Sequence, residues 1–396
     1  MSRPPLEVAD LIRAAGQQFI ERSRQWLTGQ HLKVLAAIER CRTAALGGHL
    51  DECSRCGNRA ISYNSCRNRH CPKCQTNARD RWIEARRKEL LPTRYVHVVF
   101  TLPHLLAPLA LRNKKFIYDL LFRTSAETLI EVARDPKHLG AEIGFFSVLH
   151  TWTQKLEHHP HVHCVVPAGG LSLDHSRWVH PRYPFFLPVK VLGRVFRGKF
   201  VATLKRAFAD GTLGFHGHLQ SLASQKAFSS FLRQLFRHDW VVYSKRPFGG
   251  PEHVLHYLGC YTHRVAISNH RLVSLADDKI TFRWRDSAHG NQQSLMTLSV
   301  DEFLRRFLLH LLPPGFVRIR HFGFLANRRR AALLPLCSQF LESVQQSSTA
   351  PGQSVTQCLT SPWTCRRCGG PMIILERLTA AEMLLRSPPL PVAMVS

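Results

Sequence analysis

Two Cys-x-x-Cys pairs, Cys53/Cys56 and Cys71/Cys74, separated by fourteen residues, constrain this 396-residue chain more than any other feature. The spacing is that of two knuckles of a four-thiolate zinc site. Such a site folds a segment too short and too polar to build a core of its own. Gly57, directly after Cys56, permits the tight turn of a knuckle, and Pro72-Lys73 fill the second knuckle. Cys41, His49, Cys66 and His70 lie in the same stretch and can make a second, mixed site, so one or two Zn²⁺ are expected here. A closed tetrahedral zinc does no chemistry; what it displays is a surface. Arg55, Arg67, Arg69, Lys73 and Arg79 surround the ligands, with Tyr63 and Trp82 between them, a pattern suited to phosphate contact and base stacking.

The charge balance points to the same kind of partner. Lys and Arg number 54 against 27 Asp and Glu, a formal net charge of +27. A surplus of that size repels itself in the fold but draws in polyanions by displacing their counterions, so DNA is the expected partner. A membrane is not: there is no apolar run of about 18 residues, and Met1 to Val8 lacks the apolar stretch of a signal peptide. The expected setting is cytoplasmic and nucleoid-associated. Six of the twelve cysteines fall between Cys41 and Cys74, and three more between Cys358 and Cys368. In a reducing compartment such clusters read as metal ligands, not disulfides. Cys365-x-x-Cys368-Gly369-Gly370 is half of another zinc site, with Cys358 and Cys337 as the nearest completions.

Hydrophobic spacing predicts two helices across residues 7–40, broken near Gly29, and a basic helix over Thr76 to Leu91. From Tyr95 onward strands and helices alternate. Tyr95 to Thr101, Gly144 to Gln154, His161 to Val166 and Trp240 to Ser244 are β-rich; Lys115 to Val132, Arg197 to Ala209, Gln225 to Phe236 and Val300 to Leu311 are helical. Ala266 to Arg285 reads as a hairpin turned at Asp277-Asp278, and Ser343 to Thr360 as a linker. The fold class is α+β, with an antiparallel sheet and helices on one side. Three domains are expected: 1–92, helical and zinc-binding; 93–335, carrying the chemistry; and 336–396, a linker with an incomplete zinc ribbon.

The chemistry is expected at two motifs. In His161-Val162-His163, period-two alternation points both imidazoles to one face of a strand, where they can hold one divalent ion. Two imidazoles leave positions open for water and substrate phosphate, which suits Mg²⁺ or Mn²⁺. For the third ligand Gln154 and Glu157 lie just upstream, with His150, His159 or a residue near a later helix as further choices. That helix, opened by Pro251, carries Tyr257 and Tyr261 four residues apart and hence on one face, followed by Thr262-His263-Arg264. A phenol with a pKa of roughly 10 needs roughly 4 kcal/mol to ionise at neutral pH. A cation on the scissile phosphate lowers the barrier from the other side, and Arg264 adds positive potential.

Taken together, Cys66-Arg67-Asn68-Arg69-His70-Cys71-Pro72-Lys73-Cys74, Phe100-Thr101-Leu102-Pro103, His161-Val162-His163 and the run from Tyr257 to Asn269 resemble the rolling-circle transposases of bacterial insertion sequences, in the His-hydrophobic-His, two-tyrosine class (the IS ninety-one group). The resemblance spans Glu21 to Arg330. It implies an N-terminal zinc-binding domain and a nuclease domain with an RRM-like sheet that carries the two histidines on a central strand. It further implies Tyr257 and Tyr261 as nucleophiles that nick and rejoin single strands in turn, and His161 and His163 as ligands. The substrates implied are element ends, single-stranded or hairpin, and target DNA. With no helicase domain in the same chain, host replication proteins or a helicase are expected partners. The tail departs from the pattern, since its cysteine group is incomplete by spacing. Two other functions share these features: a plasmid-type replication initiator nickase, and a non-catalytic zinc-dependent DNA-binding regulator whose histidines and tyrosines are core residues.

Overall fold

A computed structural model describes residues 4–74, 82–244, 265–286, 290, 292–345 and 364–386. In chain order the principal elements are α1 (Val8–Arg22), α2 (Gly29–Arg40), β1 (Gly48–Cys53), β2 (Arg59–Tyr63), β3 (Tyr95–Thr101), α3 (Lys114–Arg134), β4 (Gly144–Trp152), β5 (His158–Pro167), α4 (Val189–Ala209), α5 (Gln225–Gln234), β6 (Val242–Ser244), β7 (Leu272–Ala276), β8 (Lys279–Asp286), β9 (Gln292–Ser299), α6 (Val300–Leu309), β10 (Ile319–Gly323), α7 (Asn327–Gln345), β11 (Met372–Leu378) and α8 (Ala380–Arg386). The class is α+β. The elements form two compact units, one from the described residues within 1–80, 263–308 and 351–396, the other from those within 81–262 and 309–350.

In the first unit, α1 and α2 pack through apolar positions at helical spacing: Val8, Leu11, Ile12 and Phe19 on one, Val34, Leu35 and Ile38 on the other, all buried. The start of α1 is closed by a capping box in which the Glu7 N–H donates to Asp10 Oδ2 at 2.8 Å. Two three-stranded antiparallel sheets follow, ordered β11-β1-β2 and β9-β8-β7. The predicted turn at Asp277-Asp278 joins β7 to β8: both residues have positive φ, 49° and 54°, the backbone of a two-residue hairpin that Asp tolerates. Behind this sheet Phe282 meets Phe303 of α6 edge-on, with ring centroids 5.8 Å apart. Residues 265–308, assigned from sequence to the central domain, thus lie with the N-terminal residues; the Arg22 guanidinium at the end of α1 holds Asp301 at 2.7 and 2.8 Å. The tail 336–396, set apart in the sequence reading, is divided: β11 pairs along β1, while α7 belongs to the second unit.

The second unit is built on a five-stranded antiparallel sheet ordered β10-β4-β5-β3-β6. Alternation divides its residues cleanly. One face, with Val96, Val98, Phe100, Val162, Cys164 and Val166, is buried against α3 and α4 through side chains such as Leu121, Phe122, Phe196 and Phe200. The opposite face carries Tyr95, Phe146, Val148 and Val165, packed with Trp82, Leu90 and Ile319, together with the histidines described below. At the β4–β10 edge Gly323, with φ of +60°, is paired with Gly144; a Cβ on Gly323 would meet the Ile143 carbonyl, and one on Gly144 the Phe324 ring.

Candidate metal centres and nucleic-acid interface

β4 and β5 bring three histidines together. His161 and His163 share one face of β5, and His150 of β4 stands directly opposite His161 in the antiparallel register. The nitrogen atoms that the three offer lie within 4.8 Å of one another. Ring centroids are 4.4 Å apart for His150 and His163, 4.9 Å for His161 and His163, and 5.6 Å for His150 and His161. His150, one of the residues offered by the sequence as a third ligand, stands in this group, and Glu157 does not. The Glu157 carboxylate accepts from Thr153 Oγ1 at 3.2 Å, and Gln154 lies in the turn that joins the two strands, past Trp152.

Two hydrogen bonds fix the rings. The His161 Nδ1–H donates to the His159 carbonyl at 2.7 Å, which leaves the Nε2 lone pair for a ligand role. His163 Nδ1 shares a hydrogen bond of 2.8 Å with His97 Nε2, and these two rings stack at 5.0 Å with 4° between their planes. Burial pushes the His161 imidazole down to about 4, so it is neutral, the metal-binding form, throughout the physiological range. Three imidazoles on a rigid sheet, two of them held by hydrogen bonds, form a donor set that fits a divalent ion and leaves coordination positions for oxygen ligands. His97, which backs His163, was not singled out in the sequence. Its signal was present: in Tyr95-Val96-His97-Val98 the polar residue falls on the strand face opposite the valines.

The cysteines converge differently from the expectation. Cys53/Cys56 and Cys71/Cys74 do not share a metal site. Cys71 and Cys74 group with Cys41 and Cys66, whereas Cys53 and Cys56 group with Cys365 and Cys368. In the first group Cys74 Sγ lies 3.5 Å from both Cys41 Sγ and Cys66 Sγ. Four thiols around a zinc at about 2.3 Å stand roughly 3.8 Å apart. The spacing therefore fits a tetrahedral zinc and is far from the ~2.05 Å of a disulfide. His49 and His70 stay outside both groups: His49 Nε2 lies 3.5 Å from Asp51 Oδ1, and the His70 N–H donates to Asn68. The physical reason is local: Cys41 ends α2 and reaches the 66–74 loop through the Cys66 N–H, which donates to Cys41 Sγ at 3.5 Å.

Of the cations expected on the DNA-facing surface, Arg55 and Arg67 are exposed, and Arg69 is half-buried, its guanidinium pKa lowered by that burial. Lys73 is a correction. Its ammonium is buried in an ion pair with Glu7 at 2.6 Å and donates to the Cys41 carbonyl at 3.2 Å, so it ties the start of α1 to the first thiol group. Arg79, Tyr257, Tyr261 and Arg264 lie outside the described residues. Among the described residues no helix is long and apolar enough to cross a membrane.

Two protein-family models match this architecture, one described as "Transposase zinc-binding domain" over residues 11–102 and one as "Putative transposase" over residues 144–332. The "Putative transposase y4qJ" of Sinorhizobium fredii is 53% identical over 357 residues, covering 90% of this chain and 88% of the relative. The "Transposase for insertion sequence element IS801" of Pseudomonas savastanoi pv. phaseolicola is 28% identical over 80% of this chain and 77% of its own length. No solved structure matches. A zinc-binding N-terminal region joined to a sheet that gathers histidines, and a relative alike over nine-tenths of the chain, place this protein in the IS91-group family of insertion-sequence transposases, whose substrate is DNA.

Proposed function

We propose that the chain nicks and rejoins single-stranded DNA at element ends through 5′-phosphotyrosine intermediates, with Tyr257 and Tyr261 as the two nucleophiles. The observation that carries this reading is the convergence of His150, His161 and His163, with two of the three rings held from behind by hydrogen bonds. A regulator with these histidines in its core has no need of three metal-competent nitrogens grouped on the sheet face away from α3 and α4. A Mg²⁺ or Mn²⁺ held there would polarise the scissile phosphodiester, Mn²⁺ being the better match to three nitrogen donors.

The chain's own residues supply the rest. The phenol oxygen of one tyrosine attacks phosphorus and gives up its proton; the P–O3′ bond breaks, leaving a free 3′ hydroxyl and a 5′ phosphate on the tyrosine. Attack by a 3′ hydroxyl on that linkage regenerates the phenol and joins the strands, and a second tyrosine allows two ends to be carried in turn. The cation surplus holds the strand during exchange, and the exposed Arg55 and Arg67 contact phosphate. Rolling-circle movement with host replication proteins or a helicase follows from this chemistry.

The test is incubation with a single-stranded oligonucleotide carrying the element end and Mn²⁺. Wild-type protein is expected to give a denaturation-resistant protein–DNA adduct, and the Tyr257→Phe, Tyr261→Phe double variant none. Cleavage that persists in the double variant would falsify the nucleophile assignment.

A further inference from the structure

We propose that Cys53, Cys56, Cys365 and Cys368 form a second four-thiolate zinc centre, with two ligands from each end of the chain, which makes the C-terminal segment part of the DNA-recognition unit. The matched zinc-binding region ends at residue 102 and does not reach Cys365. The four thiols nevertheless converge: Cys53 Sγ lies 3.4 Å from Cys368 Sγ, and Cys56 Sγ 3.7 Å from Cys365 Sγ. These are zinc-type separations, not disulfide ones.

The two knuckles are backbone copies of one another. The Gly57 N–H donates to the Cys53 carbonyl at 2.9 Å, and the Gly369 N–H to the Cys365 carbonyl at 2.8 Å. The Cys53 N–H closes on the Asn58 carbonyl at 3.0 Å, and the Cys365 N–H on that of Gly370 at 2.7 Å. Gly57 and Gly369 have φ of +65° and +69°, which glycine adopts without strain. Peptide N–H groups also point at sulfur, from Arg367 to Cys365 Sγ and from Gly370 to Cys368 Sγ, each at 3.4 Å, the arrangement that stabilises thiolates. At Gly370 a Cβ would sit 3.1 Å from Cys53 Sγ and 3.2 Å from Cys368 Sγ, so the close approach of the knuckles requires glycine there.

The strands explain how ligands 309 positions apart in sequence meet. β11 runs antiparallel along β1 from Gly48↔Leu378 to Cys53↔Met372, which delivers both knuckles to the same end of the sheet. The Ser54 N–H then donates to the Pro371 carbonyl at 3.1 Å. Met383 of α8 closes the other end over Gly48. The paired knuckles expose Arg55, Arg366 and Arg367 at their tips, three guanidiniums and no carboxylate, a surface that recognises phosphate.

The proposal is tested by zinc analysis of the full-length protein purified under reducing conditions. We expect two zinc atoms per chain in the wild type, and one in each of Cys365→Ser/Cys368→Ser and Cys71→Ser/Cys74→Ser. A single zinc in the wild type, or two retained in the Cys365/Cys368 variant, overturns it. Because a variant can misfold, cadmium-substituted wild-type protein provides a second measurement: two tetrathiolate ¹¹³Cd resonances support the centre, and one contradicts it. Arg366→Ala/Arg367→Ala, with both zinc atoms retained, should lower the salt dependence of DNA binding by about two phosphate contacts. An unchanged slope removes the tail from the DNA surface.

Discussion

The histidine cluster and the cysteine groups are both sets of metal-competent side chains, but their ligands meet by different routes. His150, His161 and His163 come from two neighbouring strands whose register is fixed by an unbroken run of pairing from Phe146↔Val165 to His150↔His161, and the sheet alone decides which side chains face one another. The thiols sit on short knuckles, and a knuckle fixes only its own two sulfurs. Which other pair completes the set depends on where distant backbone is carried: by the end of α2 for Cys41, and by β11 for Cys365 and Cys368. The sites differ in chemistry as well. Four thiolates close around zinc, whereas three imidazoles leave room for substrate.

That contrast gives its largest predicted effect on metal removal. Stripping zinc with a chelator under reducing conditions should unfold the region around α2, β1 and β2, with loss of far-UV ellipticity and of DNA binding. Withholding Mn²⁺ should leave the circular dichroism spectrum unchanged and abolish only nicking. Equal structural loss in both cases would erase the distinction between the two kinds of site.

Lys73→Ala comes next. As one partner of a buried pair with Glu7, its removal should destabilise the first unit by about 3–5 kcal/mol, read as a lower denaturation midpoint. A phosphate-contacting Lys73 would instead lower DNA affinity with the midpoint unchanged. His97→Ala tests the support behind the cluster. It should weaken Mn²⁺ binding by about 10–100-fold, with nicking recovered at higher Mn²⁺, while zinc content stays constant. Nicking that stays low at saturating Mn²⁺ would give His97 a different role.

The smallest effect concerns pH. Burial holds His310 down to about 3, in hydrogen bonds to Thr151 and the Leu156 carbonyl. Its folded pKa lies below the ordinary value of 6.5, so the unfolded chain binds the proton first. The stability it contributes is therefore present above about pH 6.5 and is lost as pH falls from there toward about 3. His310→Gln should flatten the pH dependence of the urea midpoint across that window by up to one proton, and an unaltered slope would contradict this sign.

Much of this was legible in the sequence wherever local periodicity is sufficient. Helices α1 and α2, the strand Tyr95–Thr101, the His161 to Val166 part of β5, and the Asp277-Asp278 turn follow from spacing and turn chemistry. So does the shared face of His161 and His163. What escaped depends on pairing at a distance. β1 and β2 carry His49, Asp51, Glu52 and Arg59, too polar for a strand reading until β11 pairs with β1. Helix α7 was hidden by Pro335 in its interior, which argues against a helix although Cys337 and Leu341 bury its inner face. Lys73 reads as one more surface cation beside Arg67 and Arg69, because nothing near it announces Glu7, 66 residues upstream.

That three imidazoles hold the activating metal is tested by comparing Mn²⁺-dependent nicking by His150→Ala, His161→Ala and Glu157→Ala under one set of conditions. His150→Ala is expected to lose activity as severely as His161→Ala, by about 10³-fold, while Glu157→Ala stays close to wild type. Full activity in His150→Ala together with a collapse in Glu157→Ala would contradict it, and would return the third ligand to the carboxylate.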